Sequence, residues 1–295
     1  MAIRLPEGLG YLPINAGASR LHEKMYQPII DQSNWDEAKP NDGSAISASE
    51  CNEILRSYLV VEHLDFLMSD VVPEKVAPRL EQLEGRWHPS GFMVFPLGEH
   101  PVLGFVRLHI WPKDMRHRED RGRGNLGKIW DGDIHNHAWH VNSYNIGGYR
   151  DVIYDVEGAG RGLSDEEVAL NGLFRVFRVG YDKASGLDAL VTEGECVRVT
   201  PREERDLFAT DVHEITVGDF HAPTIPDNEF AATLAINSHR VTTHGPDILV
   251  SGDTEPIVSV RRSVTLEEKL FAKAQLLIAL GKMNWRVSEP THLSA

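Results

Sequence analysis

Apolar residues set two different periods along this chain. Ile54, Leu55, Tyr58, Leu59, Val61, Leu64 and Leu67 recur at three- and four-residue steps, the spacing of one helix face. Ser47 and Glu50 stand just ahead at the S-x-x-E spacing of a capping box, so a helix is predicted from Ser47 to about Met68. Pro73 is expected to end that region, and PEKVAPRLEQLEG offers a second, shorter helix stopping at Gly85. Residues 1–46 are rich in Pro, Asn, Asp and Gly, with anchors such as Leu12, Met25, Ile29 and Trp35, and read as an arm laid over the surface. From Trp87 the period shortens. GFMVFPL, VLGFVRLHIWP, IHNHAWHVNSYNI, YRDVIYDV, FRVFRVGYD, ECVRVTP, HEITVGDFHAP, FAATLAINS and DILVSG follow one another, separated by Gly, Pro, Asp and Asn. They predict many antiparallel strands, with GAGRG at 158–162 as a hairpin or loop. No long amphipathic helix interrupts residues 87–250, which argues against a parallel βαβ sheet and for a sandwich or jelly roll. TLEEKLFAKAQLLIALGK then predicts a closing helix. Thr265 and Glu268 form its capping box, Leu266, Leu270, Ala274 and Leu277 its buried stripe, and Gly281 its stop. The expected organisation is an N-terminal arm and helices (1–86), a mainly β core (87–250), and a C-terminal helix and tail (251–295).

Composition narrows the function. The chain has 295 residues, 41% hydrophobic and 25% charged, the balance of a globular protein. A formal charge of -14 argues against nonspecific nucleic-acid binding. Cys51 and Cys196 form no C-x-x-C pair, which suits a reducing cytosol and excludes a disulfide framework. No apolar run approaches the ~18–20 residues of a membrane span, and the N-terminus has no signal-peptide core, so a cytoplasmic protein without a membrane partner is expected.

Fourteen histidines stand out. In Asp133-Ile134-His135-Asn136-His137-Ala138-Trp139-His140, a strand would point His135 and His137 to one face, about 6–7 Å apart along the backbone, where both rings can reach one cation. Two later histidines compete as the third ligand. His221 follows Gly218 in a G-x-x-H segment, and His213 begins the same stretch.

These segments resemble the cupin superfamily. Its first motif is H-x-H, a strand and a glycine, and its second ends in P-x-G-x-x-H. Here stand His135-x-His137, then Gly147 or Gly148, then Thr216-Val217-Gly218-Asp219-Phe220-His221, with Thr216 in place of proline. The resemblance covers about residues 87–250. It implies a double-stranded β-helix (jelly roll) with metal ligands His135, His137 and His221, and His213 as the alternative third ligand. The glutamate usual after the second histidine is replaced by Val141 and Asn142, which implies a three-histidine site. RLHIWP followed by IHNHAWH is most similar to the thiol dioxygenase group, whose activity implies Fe(II) and O2. That group's Ser-x-His-x-Tyr segment corresponds here to Thr233-Leu234-Ala235-Ile236-Asn237, so the residues that support cysteine oxidation are absent from it.

Three neutral imidazoles leave the ion its full charge and open positions for a substrate and O2. Fe(II) is the expected metal, and imidazole also suits Zn, Ni, Mn or Cu, whose non-redox chemistry would make an isomerase, epimerase or lyase. A non-catalytic small-molecule binder is the third reading. On FVRLHIW, Arg107, His109 and Trp111 share one face and Val106, Leu108 and Ile110 the other, with either able to face inward. An inward Arg107 would hold a substrate carboxylate bidentately. His140 leaves the metal face by parity, as an outer hydrogen-bond partner, while Trp139 shares parity with His135 and His137 and either walls the pocket or packs in the core. Residues 113–128 carry six Lys/Arg against three Asp/Glu and read as a basic surface loop or a lid for an anionic substrate. Gly122-x-Gly124-x-x-Gly127 within it follows no strand and makes a poor dinucleotide motif. A homodimer is a further expectation, since cupins often pair through sheet edges and the arm is long enough to reach a neighbour.

Overall fold

The structure is a computed structural model that describes residues 2–4, 11–13, 59–88, 90–100, 103–115, 134–182, 187–226, 228–239, 241–242, 246–250 and 257–287. The helix start at Ser47, most of the arm, Cys51, and most of the basic loop 113–128 lie outside the described residues.

In chain order the strands are β1 (Ala2–Arg4), β2 (Tyr11–Pro13), β3 (Arg86–Trp87), β4 (Met93–His100), β5 (Gly104–Trp111), β6 (Val141–Asn145), β7 (Tyr149–Arg161) and β8 (Phe174–Asp182). They continue with β9 (Leu187–Val191), β10 (Glu195–Leu207), β11 (Val212–Ile215), β12 (Phe220–Thr224), β13 (Ala231–Asn237), β14 (Asp247–Val250) and β15 (Ile257–Val260). All pairings are antiparallel and form two sheets. One has the order β11-β6-β13-β5-β4-β1-β2 with β3 beside β4. The other has β12-β7-β10-β8-β9-β15 with β14 beside β8. No helix among the described residues is long and apolar enough to cross a membrane.

The first sheet buries its aliphatic face fully. Val106, Leu108 and Ile110 of β5, Leu234 and Ile236 of β13, and Met93, Phe95 and Leu97 of β4 pack outward against a helical layer built on Leu64, Val72, Leu80, Leu276 and Leu280. Each such side chain contributes roughly 1.5–3 kcal/mol on leaving water. Alternation then sends Arg107, His109 and Trp111 inward, in register with Ala235, Thr233 and Ala231 of β13. Ser143 and Asn145 of β6 continue two of those rows. The two alternatives left open for β5 are thus both realised, aliphatic side under helices and polar side toward the second sheet.

The helical layer departs from expectation at Pro73. Residues 59–66 are α-helical, Leu67–Val76 continues as a π-helix with Pro73 inside it, and Ala77–Gln82 tightens to a 3-10 helix. Proline has no N–H to give and crowds the carbonyl four residues back. The wider π turn, seen where the Ala77 N–H donates to the Val72 carbonyl, relieves that conflict without breaking the helix.

The C-terminal helix Leu266–Val287 starts at the expected capping box: Thr265 N–H donates to Glu268 Oε2 at 2.8 Å and Glu268 N–H to Thr265 Oγ1 at 3.3 Å. Glu268 also accepts from Arg262 and from the Trp87 indole, fastening the helix to β3. Two expectations fail here. Gly281 does not stop the helix. The buried stripe is Ala272, Leu276 and Leu280, while Leu266, Leu270 and Leu277 are exposed. The helix has two apolar faces, and periodicity alone does not say which one the sheet covers. GAGRG is also corrected: Gly158–Arg161 end the long strand β7, opposite a register shift at Cys196 and Val197 of β10, with β7 and β10 pairing over their full length.

Candidate metal centre

His135 and His221 exchange backbone hydrogen bonds, His135 N–H to the His221 carbonyl at 3.0 Å and the reverse at 2.8 Å. That is the close pair of an antiparallel ladder, so their side chains leave the same face as neighbours. Segment 134–136 thereby lies between β12 and β14, since His135 also bridges Ile248. His137 follows two residues on, and its carbonyl accepts the Gly218 N–H at 3.2 Å. Gly218 has φ 85° in the turn closed by Asp219 N–H to the Thr216 carbonyl, a conformation that disfavours any residue with a Cβ. The glycine of the G-x-x-H segment therefore ties the turn before His221 to the backbone of His137.

The three rings meet. Centroids lie 4.9 Å apart for His135 and His137, 4.5 Å for His135 and His221, and 5.1 Å for His137 and His221. One ring nitrogen from each lies within 4.8 Å of the others. His137 Nε2 and His221 Nε2 are 3.0 Å apart. Two imidazoles bound cis on an octahedral ion at ~2.1 Å would hold their nitrogens ~3.0 Å apart, so this donor set fits a divalent cation.

Asp151 completes the group. Its carboxylate lies 3.0 and 3.2 Å from His221 Nδ1 and is 1% exposed. A buried carboxylate there accepts a hydrogen bond from Nδ1–H, which leaves the Nε2 lone pair aimed at the cluster, the arrangement that commonly orients metal-binding histidines. Burial by itself would push the Asp151 carboxyl up, but the imidazoles of His221, His213 and His135 outweigh it and hold the group below the usual carboxylate range. Burial, reinforced by the neighbouring histidines, keeps His137 well below its ordinary value and therefore neutral, the form that ligates.

The other candidates take different places. His213 is not in the cluster. Its Nε2 lies 3.0 Å from the Tyr149 hydroxyl, and burial lowers its pKa to about 4. Arg107 points inward with its guanidinium 5.8 Å from the Trp139 ring, and Trp139 in turn lies 6.2 Å from His137. Burial, then the charge of Arg261, lowers Arg107 to about 10, so it remains cationic. Burial and Arg107 together bring His109 to about 3. His140 stands apart from the three rings because residues 136–140 are not a regular strand. Its Nδ1 is 3.0 Å from Glu214 Oε1, at an angle too poor for a hydrogen bond, and its backbone N–H donates to Ser238 Oγ.

Sequence reasoning missed Asp151, Tyr149 and Asn145. The only available signal for Asp151 was an acid heading the apolar run Val152-Ile153-Tyr154. No protein-family model matches the chain, and no curated protein does. The functional reading therefore rests on the geometry.

Proposed function

We propose that the protein is a cytoplasmic, cupin-type metalloenzyme whose β core is a jelly roll, holding Fe(II) with His135, His137 and His221 and oxidising a small anionic metabolite with O2. The observation that carries the reading is the convergence of three imidazoles from two distant segments, one of them backed by a buried carboxylate. A hydrogen bond between His137 and His221 would satisfy that pair alone, but it does not account for the third ring or for Asp151. When bound, the iron would supply the one-electron chemistry that O2 requires.

The chain's own residues define the rest. Asp151 fixes the His221 tautomer. Arg107, cationic and turned into the space between the sheets, takes the substrate's carboxylate or equivalent anion, and Trp139 forms the wall between that anchor and His137.

The test is elemental analysis of tag-free protein, followed by anaerobic Fe(II) loading and oxygen uptake against a panel of small carboxylates. Stoichiometric iron with substrate-dependent O2 consumption is the expected result. Metal with O2-independent turnover would make it a non-redox enzyme, and failure to bind any divalent metal would refute the site.

A further inference from the structure

Among the described residues, nothing covers one apolar face of the C-terminal helix. Leu266 is 61% exposed, Leu270 49%, Phe271 39%, Leu277 41% and Ile278 60%, and Ala274 stands exposed among them. At 100° per residue these six fall within an arc of about 140°, opposite the Ala272, Leu276 and Leu280 face that packs on the core. Ile278 also lines a cavity of about 750 Å³ whose wall includes Phe208, itself 64% exposed, so the patch runs off the helix onto the β10–β11 turn. Contiguous exposed apolar surface of this kind marks an association site.

We propose that this face is the interface of a homodimer in which two copies of the helix pair antiparallel across a two-fold axis at Ala274. Three features choose a second copy over another partner. The smallest side chain sits midway between Leu270 and Ile278, where two symmetry-related residues must share one space. Residues equally far before and after Ala274 then face each other: Leu270 meets Ile278, at the rim of the cavity, and Phe271 meets Leu277. The charges are self-complementary as well. Glu267 lies at the start of the stripe and Lys282 at its end, both exposed and neither in an ion pair among the described residues, so antiparallel pairing brings each Glu267 beside the other copy's Lys282. The interface involves neither the sheet edges nor the candidate metal centre, and it stands whatever that centre does.

Light scattering of the full chain at micromolar concentration should report twice the 33.0 kDa chain mass. Leu270→Glu with Leu277→Glu should halve that mass while circular dichroism stays native. Ala274→Cys should give a disulfide-linked dimer on mild oxidation, beyond whatever the wild-type cysteines form. Leu266→Cys should not, because its two copies would lie about 24 Å apart along the paired helices. The cysteine pair decides the question even if the double glutamate variant fails to fold. A monomeric mass for the wild type at every concentration, a dimer untouched by the glutamates, or cross-linking through position 266 rather than 274 would each overturn the proposal.

Discussion

Asp151→Asn isolates the contribution of the carboxylate behind His221. The substitution keeps the size of a side chain that is 1% exposed and an oxygen facing Nδ1, but removes the charge. A hydrogen bond to a charged group is worth about 1.5–3 kcal/mol and a neutral one about half that, so roughly 1–2 kcal/mol of support for the metal-binding tautomer disappears. The amide can also turn its NH2 toward Nδ1, which favours the tautomer with the proton on Nε2 and blocks the metal. Divalent-metal affinity should therefore fall about 10–100-fold, within the range typical of lost outer hydrogen bonds to metal ligands. Competition of the apoprotein against a chromophoric chelator, with Fe(II) under anaerobic conditions or Zn(II) in air, reads the change directly. His137→Ala is the reference for complete loss, and thermal unfolding of both apoproteins shows that the fold is retained. An Asp151→Asn protein with native unfolding and unchanged affinity would refute the role assigned to the carboxylate.

Arg107→Met should leave metal stoichiometry unchanged and raise KM for an anionic substrate about 10–100-fold, the worth of a lost bidentate ion pair; loss of the metal instead would place the arginine elsewhere in the design. Acid should destabilise the apoprotein. His109 and His213 titrate near 3 and 4 in the fold against about 6.5 when unfolded, so the unfolded chain takes up protons first, and stability present above pH 6.5 is lost as pH falls toward 4. Urea unfolding at pH 7.5 and 5 should differ by roughly 2–4 kcal/mol, and His109→Gln should flatten that dependence. Asn145→Leu removes a fully buried amide with neither polar atom paired among the described residues, and should stabilise the apoprotein by about 1–3 kcal/mol in chemical denaturation; destabilisation would show that the amide has a partner in solution.

What the sequence revealed were features whose cause is local. The Thr265 and Glu268 box closes within one turn of helix, and the Gly218 turn sets up His221 within six residues. The two H-x-H rings lie 4.9 Å apart, although the strand expected to align them is only a single bridge at His135. Features that depend on register between distant strands were hidden. Asp151 reaches His221 because β7 pairs with β12, with Ile153 opposite His221, and Tyr149 reaches His213 across the junction of the two sheets. No spacing encodes either contact. The Pro73 error and the reversed face of the C-terminal helix share another origin. Both rules describe an isolated helix, while here a packed layer rewards continuing through the proline as a π turn, and a helix with two apolar faces leaves the choice of face to the core.

The first sheet shows why the polar cluster is affordable. Its outward face supplies the aliphatic burial that holds the domain together, which frees the inward face to carry groups that contribute nothing to stability. Asn145, Asn237 Oδ1, His213 Nδ1 and the Trp139 indole nitrogen are buried without hydrogen-bond partners among the described residues. Each such group costs about 1–3 kcal/mol. Asn145 and Asn237 lie on inward rows of the sheet, His213 stands beside Ser143 at its edge, and Trp139 sits between Arg107 and the three histidines. A stability optimum would fill these positions with Val or Leu, as the opposite face does. Unpaired donors and acceptors on the inward side of the sheet that carries Arg107 are what recognition of a polar, anionic molecule demands, and the cost they impose on folding supports the proposal that this interior is kept for chemistry.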